Sequence, residues 1–123
     1  MRFMMIYKPA NFKDMEAGVP PTPENIAGMM QLTGELSQKG LLITTDGLQG
    51  SSKGARVKQA DGKVTVIDGP FTEAKELIGG YAIFQLQSKA EAIQLTERFL
   101  KVAGDGEVEI RQMQDNPAGP PPK

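Results

Sequence analysis

The segment Asp68-Gly69-Pro70-Phe71-Thr72-Glu73-Ala74-Lys75-Glu76 concentrates the chain's chemistry in nine positions. Asp68 has two open roles. It can act as a general base or orient a substrate donor, or it can cap the turn by accepting the amides of Phe71 or Thr72. Gly69-Pro70 imposes a tight backbone shape, with a cis bond as one option. Phe71 can wall a pocket, although plugging the interface of a dimer is the expected use. Glu73, Lys75 and Glu76 form a charged trio that suits either a surface or inter-subunit ion pair or a polar-ligand site. In the second case Lys75 would bind an anion with Arg56 or Arg111 nearby. Tyr7 and Tyr81 are the chain's two tyrosines. Core packing is expected of them, with pocket lining between sheet and partner as the alternative.

Two absences narrow the chemistry. The chain has no cysteine, which excludes disulfides, thiolate nucleophiles and cysteine metal sites. It has no histidine, the commonest general base and a common transition-metal ligand. Acid–base work falls to Asp, Glu, Lys or Tyr. Asp46, Asp61, Asp68 and Glu73 are scattered without a ligand-spaced loop, so no metal is expected. Gly47, Gly50 and Gly54 do not open a helix after a strand, so no phosphate-binding glycine loop is read, and no cofactor is expected.

The scaffold around this segment is an ordinary globular one. The 123 residues suit one domain, with 39% hydrophobic and 24% charged residues. A formal net charge of −1, from 14 basic and 15 acidic residues, gives no bulk attraction to nucleic acid or to a membrane. No apolar run approaches a membrane span, and the start reads as a strand rather than a signal peptide. The expected location is cytoplasmic.

Strands and helices follow from periodicity. Phe3 to Tyr7 is apolar on both faces, as in a central strand covered on both sides. Lys8 to Thr22 reads as a loop broken by Pro9, Gly18, Pro20 and Pro21. Thr22-Pro23-Glu24 starts a helix that ends at Gly40. Leu41 to Leu48 is a strand, with Gly47 a candidate bend. Asp61-Gly62 between two extended runs is a hairpin turn. Its register puts Ala60 opposite Lys63, Val57 opposite Val66, Arg56 opposite Ile67 and Ala55 opposite Asp68. Val57, Val64 and Val66 then share a face, and Asp68 points to that same apolar side. A carboxylate so placed should be hydrogen-bonded or have a raised pKa. Tyr81 to Gln87 is a further strand. Ser88-Lys89-Ala90-Glu91 is a capping box that opens a helix to about Val102, and Glu107 to Gln112 alternates as a last strand. Residues 116–123 are proline-rich and expected to be disordered.

The order β-α-β, hairpin, β-α-β is α+β and fits the ferredoxin-like plan with an antiparallel sheet. Its helices cover one sheet face. The other face, apolar in its central strands, calls for a second copy packed sheet to sheet as a homodimer.

The segment 68–76 resembles the DGPFxExKE signature of the YCII-related (DGPF) domain family. Gly79-Gly80-Tyr81, Arg56-Val57, Thr22-Pro23-Glu24, Met1 to Tyr7 and Gly106 to Arg111 fit the same family, so the resemblance spans residues 1–115. It implies a ferredoxin-like domain that dimerises into an α/β barrel, in a broad group that also holds small cofactor-free oxygenases and isomerases. A proposed His–Asp centre in one branch would keep only its acid here, at Asp68. The expected function is a small-molecule enzyme or binder. Asp68 would be its catalytic group, and Arg56, Phe71, Glu73, Lys75 and Tyr81 its substrate contacts. The alternative is a non-catalytic regulatory or dimerisation module, because some family members are fused to, or encoded beside, sigma-factor-like regulators.

Overall fold

The computed structural model describes residues 1–71, 73 and 77–115. Lys75 and the expected tail, residues 116–123, lie outside the described residues. The elements run β1 (Arg2–Pro9), α1 (Phe12–Glu16), α2 (Pro23–Gln38), β2 (Leu42–Gly47), β3 (Ala55–Ala60), β4 (Lys63–Asp68), β5 (Gly80–Gln85), α3 (Lys89–Ala103) and β6 (Gly106–Gln112). One short 3-10 turn, Ser51–Lys53, precedes β3.

Four strands form an antiparallel sheet in the order β2-β5-β1-β6, the ferredoxin-like arrangement. The two doubly apolar runs, β1 and β5, take the centre and pair directly, with Phe3 opposite Phe84 and Ile6 opposite Tyr81. β2 carries its irregularity between Leu42 and Thr44 rather than at Gly47.

The helices form where their caps predict. Thr22 accepts the Asn25 amide at 3.2 Å, Pro23 occupies the first helical position, and Gly40 follows the C-terminus at φ +72°. At α3, Ser88 accepts the Glu91 amide at 3.2 Å while Glu91 takes the Gln87 amide at 3.1 Å. Leu32 and Leu36 of α2 and Ala92 and Leu95 of α3 close over Phe3, Met5, Phe84 and Leu86. Tyr7 packs edge-to-face on Phe99 with centroids 5.0 Å apart, in its expected packing role. The alternate residues Met4, Ile6, Tyr81 and Ile83 therefore lie on the opposite sheet face, where each remains half-buried.

Segment 8–22 departs from the loop reading. It begins inside β1, which runs to Pro9, and it contains α1. No proline or glycine falls between Asn11 and Ala17, so one helical turn fits between the breakers. Phe12 and Met15 are half-buried, tucked down as expected.

The hairpin has the expected register throughout, from Ala60 opposite Lys63 to Ala55 opposite Asp68. Asp61 and Gly62 both take positive φ, 52° and 76°, as a two-residue turn between twisted strands requires. Its environment differs from the expectation. β3 and β4 form their own two-stranded sheet, so Val57, Val64 and Val66 are 68%, 56% and 62% exposed. Asp68 shares that face and is exposed as well, rather than held against a covered apolar layer.

A charge clamp ties the two long helices. Arg98 donates two bonds to Glu35, at 2.8 and 2.9 Å, and Lys39 adds one at 3.3 Å. The Arg98 bond, then the Lys39 bond, lowers the Glu35 carboxyl from 4.5 to about 2. A depressed carboxyl contributes stability that is complete above its unfolded value and is lost as pH falls through the folded one. Glu35→Gln is thus expected to flatten the acid limb of the stability curve between pH 4.5 and about 2 while leaving its shape above pH 5 unchanged. Urea midpoints at pH 5 and pH 2.5 measure this, and a mutant curve parallel to wild type throughout would refute it.

Candidate functional site

The Asp68 segment is positioned by backbone contacts that only particular residues permit. Gly69 donates its amide to the Gly54 carbonyl at 3.0 Å. A Cβ on Gly69 would lie 1.7 Å from the Ser51 carbonyl oxygen, so the position admits only glycine. The Gly69–Pro70 peptide is cis. Phe71 donates its amide to Ser51 Oγ at 2.8 Å. The Phe71 amide that Asp68 could have capped thus goes to a serine twenty residues earlier. Thr72, the other candidate donor, lies outside the described residues.

Ser51 links this loop to α1. Its hydroxyl donates to Glu16 Oε1 in a short contact, and its amide donates to Glu16 Oε2 at 2.5 Å. The result is a directional chain: Phe71 N–H to the Ser51 hydroxyl, then Ser51 O–H and N–H to the Glu16 carboxylate. Gly50 allows the approach, because a Cβ there would sit 3.0 Å from the Glu16 carbonyl oxygen. Charge-assisted bonds to a carboxylate are worth about 1.5–3 kcal/mol each, and more is lost when the partners remain part-buried. Glu16→Gln keeps the shape but loses the charge and one acceptor, so it is expected to destabilise the chain by about 1–2 kcal/mol. The denaturant midpoint reports the loss, and adding Ser51→Ala to the Glu16→Gln variant should cost less than Ser51→Ala does alone, because the Ser51–Glu16 bond is already weakened and what remains to lose is the acceptor of the Phe71 amide. Full additivity of the two changes would rule out the linkage.

The loop and α1 together wall a groove of about 490 Å³. Its sides are the Phe12, Pro70, Phe71 and Leu77 side chains, with Lys13 and Glu16 as its charged members. A smaller recess of about 200 Å³ shares Glu16, Phe71 and Leu77 with this groove and is lined also by Met15 and Leu48. Leu77 is 3% exposed and lines both. The Arg56 guanidinium lies 4.0 Å from the centre of the Phe71 ring, a cation–π contact that holds the ring from the hairpin side.

The residues expected to form the site separate into groups. Arg56 and Phe71 come together, and Phe71 lines both cavities. Asp68 is exposed at the end of β4 and lines neither. Glu73 is exposed and also absent from both linings. Tyr81 sits in β5 opposite Ile6 and Asp46, on the uncovered sheet face. Arg111, weighed as an anion ligand, pairs with Glu109 at 3.1 Å. The Arg111 bond, then the Lys8 bond, lowers the Glu109 carboxyl. Glu16, Ser51, Phe12 and Lys13 were not expected at the site. Glu16 and Ser51 meet across thirty-five residues, which no local spacing reveals.

Among the described residues, no three acidic groups converge as a metal site would require. Among the same residues, no helix is long and apolar enough to cross a membrane.

A search of solved structures finds the same fold in 5-chloro-2-hydroxyhydroquinone dehydrochlorinase from Burkholderia phenoliruptrix AC1100, solved in complex with 2,5-dihydroxybenzoquinone. The match has a TM-score of 0.51 and 14% identity, and it covers 98% of this chain and 100% of that one. At that identity the likeness is one of fold. No curated protein matches the chain. The family model of the YCII-related domain matches residues 1–115, and the chain belongs to that family.

Proposed function

We propose that this protein binds a small molecule, as an enzyme or as a carrier of it, in the groove between α1 and the Gly69–Phe71 loop. The observation that carries the reading is a coincidence of parts. The signature residues Pro70 and Phe71 wall a groove of about 490 Å³, and the loop is held there by the chain through Ser51 to Glu16. A loop fastened at both ends by hydrogen bonds from its own amides, to the Gly54 carbonyl and the Ser51 hydroxyl, presents its side chains in one geometry, as a binding site needs. In this reading Phe71 forms the apolar wall and Arg56 fixes its ring. Asp68, exposed at the end of β4 and outside the groove lining, would serve as acid–base or orienting group for a part of the ligand that extends beyond the groove. Glu73 and Lys75, later in the same signature sequence, would supply polar contacts. Tyr81 would join only from the sheet face of a partner copy. The fold neighbour's activity on a small ring compound is compatible with this class of function.

Phe71→Ala removes the wall that both cavities share. It should abolish ligand-induced shifts at the amides of Lys13, Ser52 and Phe71 in a titration with a metabolite library. Undiminished binding by the variant would sink the reading.

A second reading rests on a separate observation, the apolar surface left open. Met4, Ile6, Tyr81 and Ile83 are half-buried on the face without helices, and three hairpin valines are exposed. Apolar area of this kind suits a second copy packed sheet to sheet, which would make the protein a homodimer. A sedimentation run checks it, and a monomer at micromolar concentration would exclude it. A dimer is also compatible with the small-molecule reading. A dimer with no groove ligand would favour the regulatory or dimerisation module.

A further inference from the structure

We propose that the groove selects an aromatic carboxylate: a planar ring bearing one negative charge. The inference rests on the small-molecule reading above and names the ligand class for that site. Its walls are the rings of Phe12, Phe71 and Pro70 together with Leu77, so most of the lining is apolar and much of it is ring. Aromatic faces reward a flat partner, which gains offset or edge contacts that a puckered ring cannot make. A sugar would leave its hydroxyls without partners against these walls.

The charge follows from the two ionic groups on the lining. Glu16 spends both carboxylate oxygens on Ser51, one on its hydroxyl and one on its amide. It therefore offers little to a cationic or donor-rich ligand. Lys13 stands on the same lining, and its ammonium makes no side-chain bond or ion pair among the described residues. The uncommitted charge at the groove is therefore positive. A single ammonium on a flexible stem matches one carboxylate. A phosphate ester calls for several donors converging on it, and among the described residues the lining supplies no second cation. The ring enters against Phe12 and Phe71, and the carboxylate stays near the open mouth beside Lys13, where it keeps part of its hydration.

The test is a set of NMR titrations of the full chain, labelled with nitrogen-15, using four probes: benzoate, benzamide, cyclohexanecarboxylate and inorganic phosphate. Benzoate should shift the amides of Lys13, Ser52 and Phe71 in one saturable process. Benzamide, the same shape without the charge, should bind about five-fold more weakly, the scale of one partly exposed ion pair. Cyclohexanecarboxylate keeps the charge without the plane and should be weaker than benzoate. In Lys13→Met, an exposed site whose change should not disturb folding, benzoate should fall to the level of benzamide while benzamide is unchanged. Equal binding of benzoate and benzamide by the wild type, or benzoate binding indifferent to Lys13→Met, overturns the proposal. Shifts of the same amides by phosphate but not by benzoate overturn the ligand class and leave the groove reading standing. If none of the four probes nor the metabolite library moves those amides, both fall.

Discussion

Gly69→Ala is expected to destabilise the chain by about 2–4 kcal/mol and to dismantle the groove, because the substitution breaks two hydrogen bonds and forces a backbone shift. The added Cβ would sit 1.7 Å from the Ser51 carbonyl oxygen and 2.6 Å from its carbon. Both atoms are backbone, so no rotamer relieves the overlap. The loop or the Ser51 turn must move by about 1.5 Å to restore an ordinary carbon–oxygen contact. A shift of that size pulls the Gly69 amide off Gly54 and the Phe71 amide off Ser51, bonds that now measure 3.0 and 2.8 Å. Phe71 then leaves the groove wall, and the Arg56 contact goes with it. Urea denaturation measures the first effect, and the amide shifts of Ser51, Gly54 and Phe71 measure the second. Gly34→Ala is the control. Nothing lies within 4 Å of a Cβ at that helical glycine, so the same chemical change should stabilise α2 by about 0.5–1 kcal/mol. If Gly69→Ala is as stable as wild type, the loop does not lie against the Ser51 turn as described.

This contrast marks what could be read along the chain and what could not. The hairpin register was legible because an Asp-Gly turn sets pairing over a few residues, and every expected pair from Ala60–Lys63 to Ala55–Asp68 is present. The capped helices and the ferredoxin-like order were legible for the same reason: caps and periodicities are local. Whether the valine face of that hairpin is covered is a tertiary matter, and the alternation that identified the face says nothing about its partner. Asp68 was therefore given the right direction and the wrong surroundings. The link from Glu16 through Ser51 to Phe71 had no local signal at all. Glu16 ends a one-turn helix between a proline and a glycine, and Ser51 lies in a polar loop. Their union depends on where the end of β1 and the turn before β3 arrive in space. Gly69 was legible as a restricted position, but not as the contact that makes restriction necessary.

Phe84→Ala is expected to cost about 3–5 kcal/mol, a large share of the roughly 5–15 kcal/mol that holds a domain of this kind together. The ring is 6% exposed and faces Phe3 across β1 and Leu42 across β2, under the Leu32, Leu36 and Leu95 side chains. Both neighbouring strands and both helices line the hole, so little of it can collapse. Phe84→Leu separates volume from shape and should cost about 1–2 kcal/mol. The neighbouring residue makes the comparison informative. Ile83 points to the sheet face that carries no helix, where it is half-buried beside Met4. In an isolated chain Ile83→Ala removes little packing and should cost about 1 kcal/mol. In a sheet-to-sheet dimer the same change opens a cavity in an interface. The cost then rises toward about 2–4 kcal/mol, and the denaturation midpoint comes to depend on protein concentration. Phe84→Ala lowers the midpoint in either case, because its environment lies within one chain. The ratio of the two effects, measured at low and high protein concentration, therefore tells whether the face opposite the helices is a solvent surface or half of a shared core.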